Sequence, residues 1–208
     1  MKSIFRVFSL FIICASSAVL SGAVEAKTMV TEMQGDCQVM RENAAMVGTK
    51  GFEAKPGDKI MTGPDGRLDM TWNKMAGCRM LPSSQVSLTE FNPAKMHLNV
   101  EKGNVILNLN KLPKDTTFEV ETPTAVAAVR GTQFWGRVES TKPENPVTTF
   151  AVRQGVVEIL DKASSKSFKI NQGEALDISK ESTAAPSVRK ALPEEMQAME
   201  QADAIQIS

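Results

Sequence analysis

The sequence predicts an all-β protein. Its repeated strand–glycine bend–strand units wind as a β-sandwich or a short β-solenoid-like stack, followed by a short C-terminal helical tail. Three observations predict this. The first is a gapless internal repeat: Leu98-Asn99-Val100-Glu101-Lys102-Gly103-Asn104-Val105-Ile106-Leu107 aligns with Phe150-Ala151-Val152-Arg153-Gln154-Gly155-Val156-Val157-Glu158-Ile159, 52 residues on. Each copy alternates apolar residues on both sides of a glycine, the period of two that a half-buried strand needs. A glycine at the bend tolerates a corner or bulge where a Cβ would clash. The second observation is that the apolar segments are short and bounded by turn chemistry, as in Lys55-Pro56-Gly57-Asp58 and Gly63-Pro64-Asp65-Gly66. The third is an abrupt change of composition after Ser179, toward Ser, Ala and charge.

The chain begins with a segment of different character. Lys2 and Arg6 precede an apolar run from Val7 to about Leu20, and Val24 and Ala26 suit cleavage after Ala26. Residues 1–26 therefore read as a signal peptide, with retention as an N-terminal anchor the alternative, and the protein is expected to be periplasmic or secreted. About 180 residues then remain, enough for one well-cored domain at 27–179 and a tail at 180–208. Setting aside Lys2, Arg6 and Glu25 brings the formal charge from zero to −1, which gives no basic footprint for a nucleic acid. The remaining cysteines, Cys37 and Cys78, read as a disulfide in an exported chain, closing a loop of about 40 residues worth about 4 kcal/mol. Two buried free thiols are the alternative.

From Met29 to Val39 the pattern is strand-like. Met46 to Phe52 reads as a turn and a short strand. Leu68, Met70 and Trp72 share one face of the next strand, with Arg67, Asp69 and Thr71 on the other. Lys74 to Gly77 is a turn, and Cys78, Met80, Val86 and Leu88 carry further short strands, interrupted by Pro82 and Pro93. The repeat continues with Phe118 and Val120, matched 50 residues on by Phe168 and Ile170. Shorter echoes of the pattern, a glycine followed by apolar residues two and four positions on, occur at Gly35, Cys37 and Val39 and at Gly66, Leu68 and Met70. Between the copies lies the most distinctive stretch. It comprises Thr122-Pro123, the small-residue run Ala125-Val126-Ala127-Ala128-Val129, then Arg130-Gly131-Thr132 and the aromatic pair Phe134-Trp135. Residues 180–190 read as linker. Pro193 suits a first helical position, and Glu194 and Glu195 favour the helix dipole. Leu192, Met196, Met199 and Ile205 give a weak amphipathic face, for packing on the domain or for a partner.

These residues resemble the FecR domain family. The resemblance is carried by Pro56-Gly57-Asp58-Lys59-Ile60 with Thr62, by Gly66-Arg67-Leu68, and by Glu101-Lys102-Gly103-Asn104-Val105. It is carried most specifically by Phe118 through Phe134, with Thr122, Pro123, Arg130, Gly131, Thr132 and Phe134 as its motif. Gln154-Gly155 with Val157, and Ile170 with Gly173-Glu174, close it. The resemblance implies an all-β extracytoplasmic domain, which in the best-known members relays an iron-siderophore signal from an outer-membrane transporter to a cytoplasmic sigma factor. Only Met1 to Arg6 precede the apolar run, so a free-standing exported FecR-domain protein is the expectation rather than a sigma regulator. The expected role is a non-catalytic binding or signalling module that contacts a protein partner in the cell envelope. Contact with a membrane is expected only through an uncleaved N-terminal segment. The alternatives are a structural scaffold of the envelope or a carbohydrate-binding domain using Trp72 and Trp135.

The sequence offers little for catalysis. The sole histidine, His97, has no nucleophile elbow beside it, no P-loop or EF-hand pattern is present, and the cysteines lack metal-ligand spacing. Carboxylates at Asp65, Asp69, Glu90, Glu101, Glu119 and Glu121 show no spacing that singles out a catalytic pair. No cofactor and no metal are expected. Arg130 carries two readings. Its five-donor guanidinium either locks the corner from inside or stands exposed to receive an acidic group, with Trp135 as a second candidate for partner contact.

Overall fold

A computed structural model describes residues 27–140, 144–180, 185–205 and 207. The expected signal peptide, residues 1–26, lies outside the described residues. Among the described residues the seventeen strands join in one sheet, which divides into two nine-stranded layers that share β9 and enclose a common core. The N-terminal half supplies β1 (Thr28–Gln34), β2 (Cys37–Arg41), β3 (Ala44–Met46), β4 (Glu53–Ala54), β5 (Lys59–Thr62), β6 (Arg67–Trp72), β7 (Ala76–Met80), β8 (Gln85–Phe91) and β9 (Lys95–Leu109). The C-terminal half supplies β10 (Thr117–Glu121), β11 (Ala125–Val129), β12 (Gln133–Ser140), β13 (Pro146–Gln154), β14 (Val156–Asp161), β15 (Ser167–Asn171), β16 (Glu174–Ser179) and β17 (Val188–Lys190). One sheet, here A, runs β4-β1-β6-β7-β9-β12-β13-β16-β17. The other, B, runs β3-β2-β5-β8-β9-β10-β11-β14-β15.

Strand β9 belongs to both sheets. Its first half pairs with β8 and, in parallel, with β10 in sheet B; beyond Gly103 it pairs with β7 and β12 in sheet A. Gly103 takes φ +88°, and a Cβ there would sit 2.4 Å from the Ser84 Cα. Only glycine permits the crossing at this closeness. The two repeat copies are therefore equivalent corners run in opposite senses: Leu98–Leu107 passes from B to A, and Phe150–Ile159 from A to B.

The register places the corners in two rows. Gly103 pairs with Val138 at one end of sheet A, and Asn108 pairs with Gln133 at the other. The N-terminal half folds over at the Gly103 end, through Gly35-Asp36, Gly63–Gly66 and Leu81–Ser84. The C-terminal half folds over at the opposite end, through Asn110–Thr116, Arg130–Thr132, Gly155 and Gln172-Gly173.

Alternation then fills the space between the sheets. Leu98, Val100, Val105, Leu107, Phe150, Val152, Val157 and Ile159 all point into one core. Trp72 anchors it, stacked on Phe91 at 5.4 Å and edge-on to Phe118 at 5.5 Å. The small residues Ala125 and Ala127 of β11 are fully buried there, leaving room for the larger side chains of the facing layer.

The tail does not stand free. Helix α1 (Pro193–Glu200) and a 3₁₀ turn (Gln201–Ala204) lie on the outer face of sheet A. Met199, Ala202 and Ile205 cover Ile106, Trp135, Ala151 and Ala175. Gly77 leaves the notch that Ile205 fills: a Cβ there would meet the Ile205 Cγ2 at 2.5 Å. Arg189 on β17 joins this layer by donating to Asp177 at 2.6 Å and to Glu195 at 2.6 Å. Burial opposes ionisation of Glu195, yet Arg189 and the Leu192 N–H hold its carboxyl below the usual range.

One expectation needs correcting. Cys37 and Cys78 are free thiols, not a disulfide. Cys37 sits in sheet B beside a corner, its Sγ within reach of the Gln34 and Arg67 carbonyls at 3.3 and 3.5 Å, whereas Cys78 is buried in the middle of β7 in sheet A. Burial pushes the Cys78 thiol well above its ordinary value, so it behaves as a small apolar side chain. Trp72 and Trp135 form no sugar platform, being 1% and 4% exposed on opposite faces of sheet A.

Candidate functional site

The stretch from Thr122 to Trp135 separates into parts with different surroundings. Thr122 begins it in the β10–β11 turn. Its Oγ1 accepts the Ala125 N–H at 3.0 Å and the Thr148 hydroxyl at 3.0 Å, and Thr124 donates to Thr148 at 2.6 Å. This buried hydroxyl chain satisfies its own donors and closes one end of the sandwich. Pro123 is exposed at the turn. Phe134 is fully buried against Phe150, with ring centroids 6.4 Å apart. Trp135 faces the other way, under the tail, with the Arg137 guanidinium 5.0 Å from its ring. The structure thus brings Arg130, Gly131 and Thr132 together at one corner and places Thr122, Pro123, Phe134 and Trp135 elsewhere.

At that corner the chain leaves β11 in sheet B and enters β12 in sheet A. Gly131 takes φ +69°, and an added Cβ would lie 3.2 Å from the Lys111 Cα. The next corner packs directly on it: a Cβ on Gly155 would meet the Thr132 Cγ2 at 2.7 Å and the Gly131 carbonyl at 2.9 Å. Leu109 N–H donates to the Thr132 carbonyl at 2.9 Å, fixing the corner to the end of β9. Between these segments opens a cleft of about 530 Å3, lined by Asn108, Asn110, Lys111, Arg130, Thr132 and Gln133.

Arg130 is exposed, and among the described residues its one hydrogen bond goes to the Leu112 carbonyl at 3.1 Å. A single backbone contact orients the guanidinium and leaves most of its donors to solvent. Among the described residues neither Arg130, Lys111 nor Lys114 shares an ion pair with an acid. The Thr132 hydroxyl is buried in the wall without a partner among those residues, at 1% exposure. The opposite rim is satisfied by the tail. Arg153 donates to Asp203 at 2.7 Å, Gln133 donates to the same carboxylate at 3.3 Å, and Asn108 donates to the Ala202 carbonyl at 3.3 Å. The Arg153 guanidinium holds the Asp203 carboxyl below the usual range. The arrangement suits recognition of negative charge and of backbone amides. Among the described residues lining the cleft there is no His, Asp, Glu or Cys.

His97 lies elsewhere, on the outer face of sheet B, its Nε2 2.9 Å from Glu121 and its Nδ1 3.8 Å from Glu119. Among the described residues no group of three His, Cys, Asp or Glu is placed to hold a metal ion. Sequence reasoning missed Lys111, Asn108, Asn110, Gln133 and Gln154 as cleft residues. A signal was present. The alternation Leu107-Asn108-Leu109-Asn110 puts both asparagines on the face away from the core, and Gln154 precedes a repeat glycine at the corner that meets Arg130–Thr132.

The comparisons agree with the fold and with the motif. Residues 58–158 match the family model described as FecR protein. No curated protein matches. Two crystal structures of a proposed anti-sigma factor from Parabacteroides distasonis ATCC 8503 superpose with TM-score 0.57 at 17% identity, over 69% of this chain. The chain spans 64% of the length of those solved chains, and at that identity the likeness is one of fold.

Proposed function

We propose, from the match of residues 58–158 to the FecR family model, that this is a FecR-domain protein acting as a non-catalytic, exported module that meets a protein partner in the cell envelope. One observation carries the reading. The arginine of the most specific stretch stands exposed at a cleft instead of being locked inside the fold. A purely architectural arginine would bury its head against carboxylates, as Arg79 does with Asp69 at 2.6 Å in this same protein. The anti-sigma description of the structural neighbours supports a regulatory setting without supplying a partner. Export, to the periplasm or beyond, rests on the apolar and small-residue pattern of residues 1–26.

Cross-linking in the native envelope, followed by mass-spectrometric identification, tests the reading. The expected result is one dominant envelope protein, cross-linked through lysines near the Arg130 corner and lost on Arg130→Gln at unchanged protein level. Recovery of no specific partner would contradict it.

A further inference from the structure

We propose that the Arg130 corner binds an extended, acidic peptide segment of the partner, seated by carboxylate contacts to Arg130 and Lys111. This deepens, and rests on, the reading of the protein as a partner-binding module. Arg130 is the lip between two depressions. The cleft of about 530 Å3 lies on one side and a shallower one of about 340 Å3 on the other. The second is floored by Ala128 and the exposed Val156 and rimmed by Lys114 and Lys169. A peptide crossing the lip would meet amides and cations first, then a small apolar floor.

Charge selects the class of ligand. Glu119 in the second depression is already opposed by Lys95 at 4.0 Å, and Glu158 sits across from Lys169 in the β14–β15 register. The balance is positive: across the two depressions Lys111, Lys114, Arg130 and Lys169 stand against Glu119 and Glu158, and among the described residues Lys111, Lys114 and Arg130 share no ion pair with an acid. The single acid of that loop, Asp115, lines neither depression. The opposite rim already shows what such a surface does with a carboxylate, since Arg153 and Gln133 together hold Asp203 of the tail. The partnerless Thr132 hydroxyl in the wall marks a polar group that the described fold leaves unsatisfied. Strand addition is not the mode. β10, β11 and β14 are each paired on both sides, so recognition falls to side chains.

The test is a titration of the purified, 15N-labelled protein with two blocked peptides, acetyl-Ala-Val-Glu-Val-Glu-Ala-amide and its counterpart with Gln for Glu. The acidic peptide is expected to shift the amide signals of Asn110, Lys111, Gly131 and Gln133 and to bind at least about fivefold tighter than the neutral one. The difference should vanish in Arg130→Gln and in high salt. Equal binding of the two peptides, shifts mapping to another face, or an undiminished response in Arg130→Gln would overturn the assignment. If the peptides fail while envelope cross-linking still yields a partner held through another surface, the cleft assignment falls and the module reading stands. If both fail, both fall.

Discussion

The two rows of corners are built from the same strand–glycine–strand unit, yet one row packs backbone on backbone more closely and the other flanks the larger cleft, about 530 Å3 against about 210 Å3. At the Gly103 end the backbones touch. Added Cβ atoms would meet backbone at 2.2 Å from Gly35, 2.1 Å from Gly66 and 2.4 Å from Gly103. At the other end the approaches are longer, backbone lying 2.9 Å from an added Cβ on Gly155, 3.2 Å from one on Gly131 and nothing within 4 Å of one on Gly173; beside Gly131 lies a cleft whose cations share no ion pair among the described residues. The difference is one of loop length and chemistry. Gly103 turns the chain within a single strand, whereas β9 reaches β10 through Asn110–Thr116, a loop carrying Lys111 and Lys114. One row therefore holds the sandwich together and the other presents side chains. Glycine at a corner marks the fold; what flanks it decides whether the corner is also a site.

Substitutions can break this contrast, beginning with the largest effect. Gly103→Val adds a branched side chain at φ +88° against the Ser84 backbone; loss of the folded state, or more than about 4 kcal/mol in denaturant titration, is expected. Trp135→Ala should cost about 3 kcal/mol and loosen the tail, read as protease cleavage within residues 188–205 while the sandwich survives. Gly131→Ala meets only a left-handed backbone and a 3.2 Å contact, so about 1–2 kcal/mol is expected in the same denaturant titration.

Acid should separate the tail from the sandwich. Desolvation opposes ionisation of exposed Asp177 and, more fully, of buried Glu195, yet both are held low, chiefly by Arg189, so their stabilisation is present above the unfolded values near 4 and is lost as pH falls below them. In a Trp72→Phe background the Trp135 emission should move to the red below about pH 4, ahead of global unfolding. The smallest effect belongs to Arg130→Gln, expected within about 0.5 kcal/mol of wild type by thermal melting, as for an exposed side chain with one backbone bond.

Much of this was legible in the sequence, for reasons that differ by residue. The repeat around Gly103 and Gly155 announced the units because period-two alternation and a glycine bend are local properties. The row to which each corner belongs was not legible, because it depends on pairings such as Asn108 with Gln133. Trp135 looked like a candidate contact because its partners, Met199 and Ala202, lie more than sixty residues on. The Cys37–Cys78 expectation rested on count and compartment, whereas the thiols sit in different sheets. Arg130 stood out in the sequence as an arginine beside a glycine after a run of small side chains, with two readings open. Its exposure was set by the Leu112 carbonyl and by the absence of a carboxylate nearby among the described residues, neither of which a strand pattern encodes.

The central claim is that the open corner, not the tail-covered face, meets the partner. The most direct measurement is the yield of the cross-linked envelope partner for Arg130→Gln against wild type, at equal protein level. The account predicts that the adduct is lost from a protein that melts like wild type. An undiminished adduct from the variant would contradict it.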